Sequence, residues 1–109
     1  MKLRNIVFTE FTVSGVLSKP FKGIDCGIEG DKTNRHNYAR IFLNSKNRVR
    51  YIHYYGMFSN HESHDYKPKT SISVGEAKMD VISHFNEFCK EYISRMLDIE
   101  EIESLICDS

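Results

Sequence analysis

The stretch SVGEAKMDVISHFNEFCKEYISRML, residues 73–97, decides how this chain folds. Ser73 stands three residues before Glu76, with Ile72 ahead of it and Ala77 at the fourth helical position. That spacing is a capping box with a hydrophobic staple, a helix-start signal. Val74, Ala77, Val81, Ile82, Phe85, Phe88, Cys89, Tyr92, Ile93 and Met96 then recur at steps of three and four. On a helical wheel they fill an arc of roughly 160°, so the spacing predicts one long amphipathic helix over about 74–97.

The opposite side of the same wheel carries Glu76, Asp80, Glu87, Glu91 and Asp98 within an arc of roughly 60°. At about 1.5 Å rise per residue they would form a carboxylate stripe about 33 Å long. It reads either as a solvated face that keeps the domain dispersed or as a contact surface for a basic protein partner.

Before the helix the chain reads as strands. Residues 5–17 are rich in β-branched and aromatic side chains, with Gly15 marking a bend. Within 22–28, Ile24, Cys26 and Ile28 alternate with Gly23, Asp25 and Gly27, which predicts a strand with one apolar face and a bare one. A bare face admits close approach by another segment or a ligand, and most simply marks an edge strand. Residues 38–43 and 48–55 flank Asn44-Ser45-Lys46-Asn47, a four-residue hairpin turn. Residues 59–70 read as a polar loop, with a short strand around Ile72 leading into the helix. Beyond it, Asp98 and Glu101 suggest a second cap, and Ile99, Ile102 and Ile106 the apolar side of a short helix over about 99–106.

Strands followed by helices predict a single α+β domain over 1–109. It comprises an antiparallel sheet of about four strands packed on one long helix, with a short C-terminal helix. A chain of 109 residues buries about 65% of its extended surface, enough for a core without metals or staples. Three cysteines, Cys26, Cys89 and Cys107, form no C-x-x-C pair, which suits a reducing compartment. No run has the length of a membrane span, and Glu10 and two threonines interrupt the apolar stretch behind Met1-Lys2-Leu3-Arg4, so the expected location is the cytoplasm.

The net charge of zero hides an asymmetry. Residues 1–72 hold twelve Lys/Arg against six Asp/Glu, whereas residues 73–109 hold three against nine. Much of the basic half lies in the hairpin, as Arg40, Lys46, Arg48 and Arg50, interleaved with Tyr51, His53, Tyr54 and Tyr55. Cations to hold phosphates beside rings to stack on bases are what single-stranded DNA or RNA binding requires. Strict alternation would put Arg48, Arg50, Ile52 and Tyr54 on one face and Val49, Tyr51, His53 and Tyr55 on the other. Arginines outside and tyrosines in the core give the same pattern without a ligand.

Residues 61–65, HESHD, nearly match H-E-x-x-H, but the fifth residue is Asp and the segment is not helical. His61, His64 and Asp65 are therefore weak metal candidates, and with His53 or Arg50 they suggest a metal- or histidine-dependent nuclease as a third reading. His84, at the margin of the apolar arc, is expected to be a hydrogen-bonded boundary residue. No P-loop, G-x-S-x-G elbow or paired-cysteine zinc motif occurs, so neither catalysis nor a cofactor is expected.

The leading expectation is a non-enzymatic binding protein that engages or inhibits a nucleic-acid-handling or defence complex through its charged surfaces. A compact domain rich in Asn, Lys and Ile is of the kind found in AT-rich phages and mobile elements. Direct binding of RNA or single-stranded DNA by the hairpin is the alternative, and an incompletely guarded sheet edge is compatible with a homo-oligomer.

Overall fold

The computed structural model describes residues 2–14, 20–30, 37–56, 62–93 and 105–107. Five strands run in sequence order across one antiparallel sheet: β2 (Ile6–Val13), β3 (Phe21–Ile28), β4 (Ala39–Leu43), β5 (Val49–Tyr54) and β6 (His64–Tyr66). They precede the helix α1 (Val74–Ile93). A separate two-stranded ladder joins β1 (Lys2–Leu3) to β7 (Ile106–Cys107). The α+β class and the antiparallel sheet are as the sequence predicts, with one strand more than expected.

The helix starts as its capping box dictates. Ser73 Oγ accepts from the Glu76 amide at 3.1 Å and donates to the Glu76 carboxylate at 3.3 Å. Ala77, Val81, Phe85, Phe88 and Cys89 are buried, with Val74 and Ile82 half-buried. They close over Ile24, Cys26 and Ile28 of β3, Ala39 and Ile41 of β4, and Val49, Ile52 and Tyr54 of β5. Residues 94–97 of the predicted helix lie outside the described residues.

The hairpin turn is set by Asn44. Its side-chain oxygen accepts from the amides of Lys46 (2.9 Å) and Arg48 (3.0 Å), while Asn47 donates its amide to the Asn44 carbonyl (3.0 Å). Asn47 takes a left-handed φ of 60°, which asparagine tolerates better than other side chains.

Three expectations are corrected, and a fourth is trimmed at its end. The segment 22–28 is not an edge strand: β3 lies between β2 and β4. Its bare face serves close approach, because a Cβ on Gly23 would lie 2.8 Å from the Phe11 ring. The predicted polar loop contains β6, whose exposed, polar sequence carries no alternation signal and which is held by backbone pairing to β5. Residues 71–73 form no strand. Of the short helix expected over about 99–106, residues 99–104 lie outside the described residues; its last two positions are not helical, since Leu105 is in a turn and Ile106 pairs with Leu3. A leucine and an isoleucine after a cap fit a helix or a strand equally, and only the partner strand β1 decides between them.

One irregularity rearranges the faces of the hairpin. Phe42 faces Tyr51 while Leu43 faces Val49, so Arg50 is an extra residue, a bulge. Val49 thereby joins Ile52 and Tyr54 in the core instead of sharing a face with Tyr51.

Candidate functional site

The face of the sheet turned away from α1 is organised in two transverse rows. Across the middle, Thr9, Asp25, Arg40, His53 and Asp65 stand in register on five successive strands. Arg40 Nε donates to Asp25 at 2.6 Å, and His53 Nδ1 and Asp65 are paired at 2.5 Å. The hydrogen bond to Asp25 raises the Arg40 pKa above its ordinary value, against a smaller opposing effect of burial. The Arg40–Asp25 pair cancels the arginine's charge at the centre of the face.

One step toward the hairpin turn lies an aromatic row. Phe11, Gly23, Phe42 and Tyr51 are in register, and Phe21 stands beside them at the start of β3. Phe42 stacks on Tyr51 with centroids 4.6 Å apart and planes 17° apart. Phe11 meets Phe21 and Phe42 edge-on at 6.1 and 6.5 Å, and the Arg40 guanidinium lies 4.5 Å over the Phe11 ring. Gly23 lets Phe11 lie flat against the strand, since any side chain there would occupy the ring's place.

An open groove of about 770 Å³ lies at this end of the sheet. Phe21, Phe42 and Tyr51 supply its rings, Lys22 and Arg50 its charges, and Thr12, Asn44 and Ser45 its uncharged polar groups, with no carboxylate in the lining. Arg50 carries its guanidinium 6.0 Å from the Tyr51 ring. Among the described residues Lys22, Lys46 and Arg50 form no ion pair, so the hairpin end keeps a positive charge that the centre of the face has cancelled.

The structure therefore divides the basic–aromatic hairpin. Arg50 and Tyr51 line the groove, Lys46 stands exposed at the turn, and Arg40 and His53 belong to the paired central row. Arg48 donates to Ser71 Oγ at 3.0 Å and is not in the groove lining. Tyr55 is half-buried, edge-on to His53 with centroids 4.6 Å apart. Tyr54, expected with the others on a binding surface, is only 3% exposed and belongs to the core.

That buried position places Tyr54 in a polar cluster under the helix. It stacks on His84 with centroids 3.9 Å apart and lies beside His64 at 5.2 Å. Tyr38, 1% exposed, bonds His84 Nδ1 through its hydroxyl at 2.5 Å, so His84 is the hydrogen-bonded boundary histidine its place on the helix suggests. Burial pushes the Tyr38 and Tyr54 hydroxyls far above the ordinary tyrosine range, and for Tyr54 the Asp80 carboxylate adds to the shift. His64 and Asp65 point into different arrangements, the first against Tyr54 and the second against His53. No group of three or more metal-ligating side chains occurs among the described residues, and His61 lies outside them.

On the far side of the molecule Glu76, Asp80, Glu87 and Glu91 are all exposed along α1, with Met79 61% exposed among them. Glu87 meets Lys90 at 3.5 Å, a pair more than 70% exposed on both sides and worth little. Asp98 lies outside the described residues. No helix of the described chain is long and apolar enough to cross a membrane.

Sequence reading missed Phe11, Phe21, Phe42 and Lys22. Their signal was present, since odd-numbered apolar residues in 5–13 oppose the bare face of 22–28, but it becomes a site only once the two strands are placed in register. Comparison with known protein families, curated proteins and solved structures finds no match for this chain.

Proposed function

We infer that the chain is a non-enzymatic binding protein whose groove at the hairpin end of the sheet takes single-stranded nucleic acid. One observation carries this reading: three aromatic rings and two cations line one groove without a carboxylate. Rings offer every base a stacking surface, cations hold the phosphates, and a carboxylate would repel them. The groove is open, which suits a strand that enters and leaves.

The test is fluorescence anisotropy of labelled single-stranded RNA, single-stranded DNA and duplex DNA across a salt series. Single strands are expected to bind with a steep salt dependence, and the duplex more weakly. Arg50→Ala and Lys22→Ala should each flatten the salt slope by about 0.7, the contribution of one single-strand phosphate. Tyr51→Ala should cost about 1–3 kcal/mol of affinity at constant slope. Arg48→Ala, which removes a cation outside the groove, should change affinity far less than Arg50→Ala. Absence of binding at low salt, or equal effects of Arg48 and Arg50, would eliminate this reading.

The acidic face of α1 supports a second one, in which the protein engages a basic partner of the nucleic-acid-handling or defence class, as an inhibitor encoded by a phage or mobile element would. The supporting observation is that Glu76, Asp80, Glu87 and Glu91 stand exposed on one face together with an exposed methionine. The double change Glu87→Lys and Glu91→Lys is expected to abolish capture of that partner while leaving the circular dichroism spectrum and the groove's anisotropy signal unchanged. Capture that survives it makes the stripe a solvated face. The two surfaces are on opposite sides of the domain, so the experiments do not interfere.

A further inference from the structure

We propose that a second copy of this chain pairs with the first along β2, antiparallel, about a two-fold axis through Thr9. Among the described residues β2 has a strand on one side only, since it ends the order of the five-stranded sheet. It is eight residues long, pairs with β3 without a bulge, and contains neither proline nor lysine. A short strand, a bulge, a proline or a lysine ordinarily blunts an edge, and β2 has none of these; its one charged side chain, Glu10, guards the edge only while it lacks a partner of opposite charge. Val7 and Val13 on it are 44% and 41% exposed.

The register with β3 says which backbone groups face the open side. Glu29 donates its amide to the Asn5 carbonyl at 2.9 Å, so Asn5 and, by alternation, Val7, Thr9, Phe11 and Val13 direct their hydrogen bonds to β3. The amides and carbonyls of Ile6, Phe8, Glu10 and Thr12 then point outward. A two-fold axis perpendicular to the sheet opposes residues of the same face, and so must pass through a residue. An axis through Glu10 would oppose two identical carboxylates, which is destabilising. An axis through Phe11 sets Glu10 against the partner's Thr12.

The axis through Thr9 sets Val7 against the partner's Phe11 and Phe8 against the partner's Glu10. Phe8 is the residue over which Lys78 of α1 holds its ammonium, 5.3 Å from the ring centroid. Each Glu10 thus arrives beside the other copy's Lys78, and the symmetry makes the contact twice. Among the described residues neither Glu10 nor Lys78 is in an ion pair within one chain. The pairing stays within residues 5–13, short of the β1–β7 ladder, whose last bond runs from the Arg4 amide to the Leu105 carbonyl. The two five-stranded sheets become one continuous sheet with a groove toward each end.

Sedimentation equilibrium of the full chain over a range of concentration is expected to show a monomer–dimer equilibrium. Glu10→Lys and Lys78→Glu should each raise the dimer dissociation constant by about tenfold or more, because two like-charge contacts replace two attractive ones. Mixing the two variants should restore the dimer as a heterodimer, since every contact then joins a lysine to a glutamate; a change that merely damaged the fold would not be rescued. Thr9→Cys should form a disulfide between copies under mild oxidation beyond any seen in the parent chain, because facing residues of a pair without hydrogen bonds lie about 4.5 Å apart at Cα. A monomer at all concentrations overturns the proposal. So does a dimer that is indifferent to both charge reversals and gives no added disulfide in the Thr9→Cys variant.

Discussion

Gly23→Ala is expected to destabilise the domain by about 2–3 kcal/mol, whereas Gly27→Ala, two register positions along the same face of the same strand, should stay within about 0.5 kcal/mol of the parent. The two glycines are alike in sequence and differ in what lies above them. A Cβ on Gly23 would run into the Ile41 carbonyl oxygen and stand 2.8 Å from the Phe11 ring. The first obstacle is backbone in the neighbouring strand, so relief requires β4 to shift, and the second is a ring held by Phe21, Phe42 and Arg40. A Cβ on Gly27 meets only the Asn37 side-chain oxygen at 3.7 Å, an ordinary contact. There the loss of glycine's unfolded-state freedom offsets any small crowding. Urea denaturation of the two variants decides the matter. Equal stabilities would mean that the aromatic row does not lie against the bare face of β3.

Raising the pH above about 9 is expected to destabilise the domain progressively and to unfold it by about pH 11, before its arginines discharge. Burial pushes the thiol of Cys26 up to about 12, with the Asp25 carboxylate adding and Lys78 opposing, and burial alone pushes Cys89 to about 12. Tyr38 and Tyr54 are shifted in the same direction. All four are acids whose neutral form the fold favours, so the folded state holds protons that the unfolded chain releases above about 9 for cysteine and about 10 for tyrosine. Their full contribution is present below those values and is lost as pH rises toward the folded ones. Each group titrating only in the unfolded chain removes roughly 1 kcal/mol per pH unit. By pH 11 the combined loss is on the order of 5 kcal/mol or more, comparable to the whole stability of a small domain. The measurement is the urea midpoint at pH 8, 9, 10 and 11. In the double variant Cys26→Ala and Cys89→Ala the domain starts less stable, but its slope between pH 9 and 10 should largely vanish. An unchanged slope there would place the titrating groups elsewhere.

Residues 73–93 show what a sequence settles alone. The cap at Ser73–Glu76 and the positions that turn inward, from Ala77 to Cys89, follow from spacing, because a helix of this length has a fixed period and its first turn needs a fixed partner. The four longer strands and the Asn44–Asn47 turn were legible from local composition: runs rich in β-branched and aromatic residues, alternation in 22–28, and four polar residues between two such runs. The exposed carboxylates on α1 belong here too, since they lie opposite an apolar arc that must be covered.

What only the tertiary structure decided is everything that depends on a neighbour distant in the chain. β6 and β7 exist because β5 and β1 offer them hydrogen-bond partners, and their own residues favour no one conformation. The bulge at Arg50 moves Val49 into the core and leaves Arg50 and Tyr51 at the groove, a displacement of one residue that no period-two reading registers, because a single insertion flips every side chain beyond it. The groove draws Phe21 and Lys22 from one strand, Phe42 from the next and Tyr51 from the third. Its chemistry was written in the chain, but its assembly rests on strand register, which is set by long-range pairing and not by any local pattern.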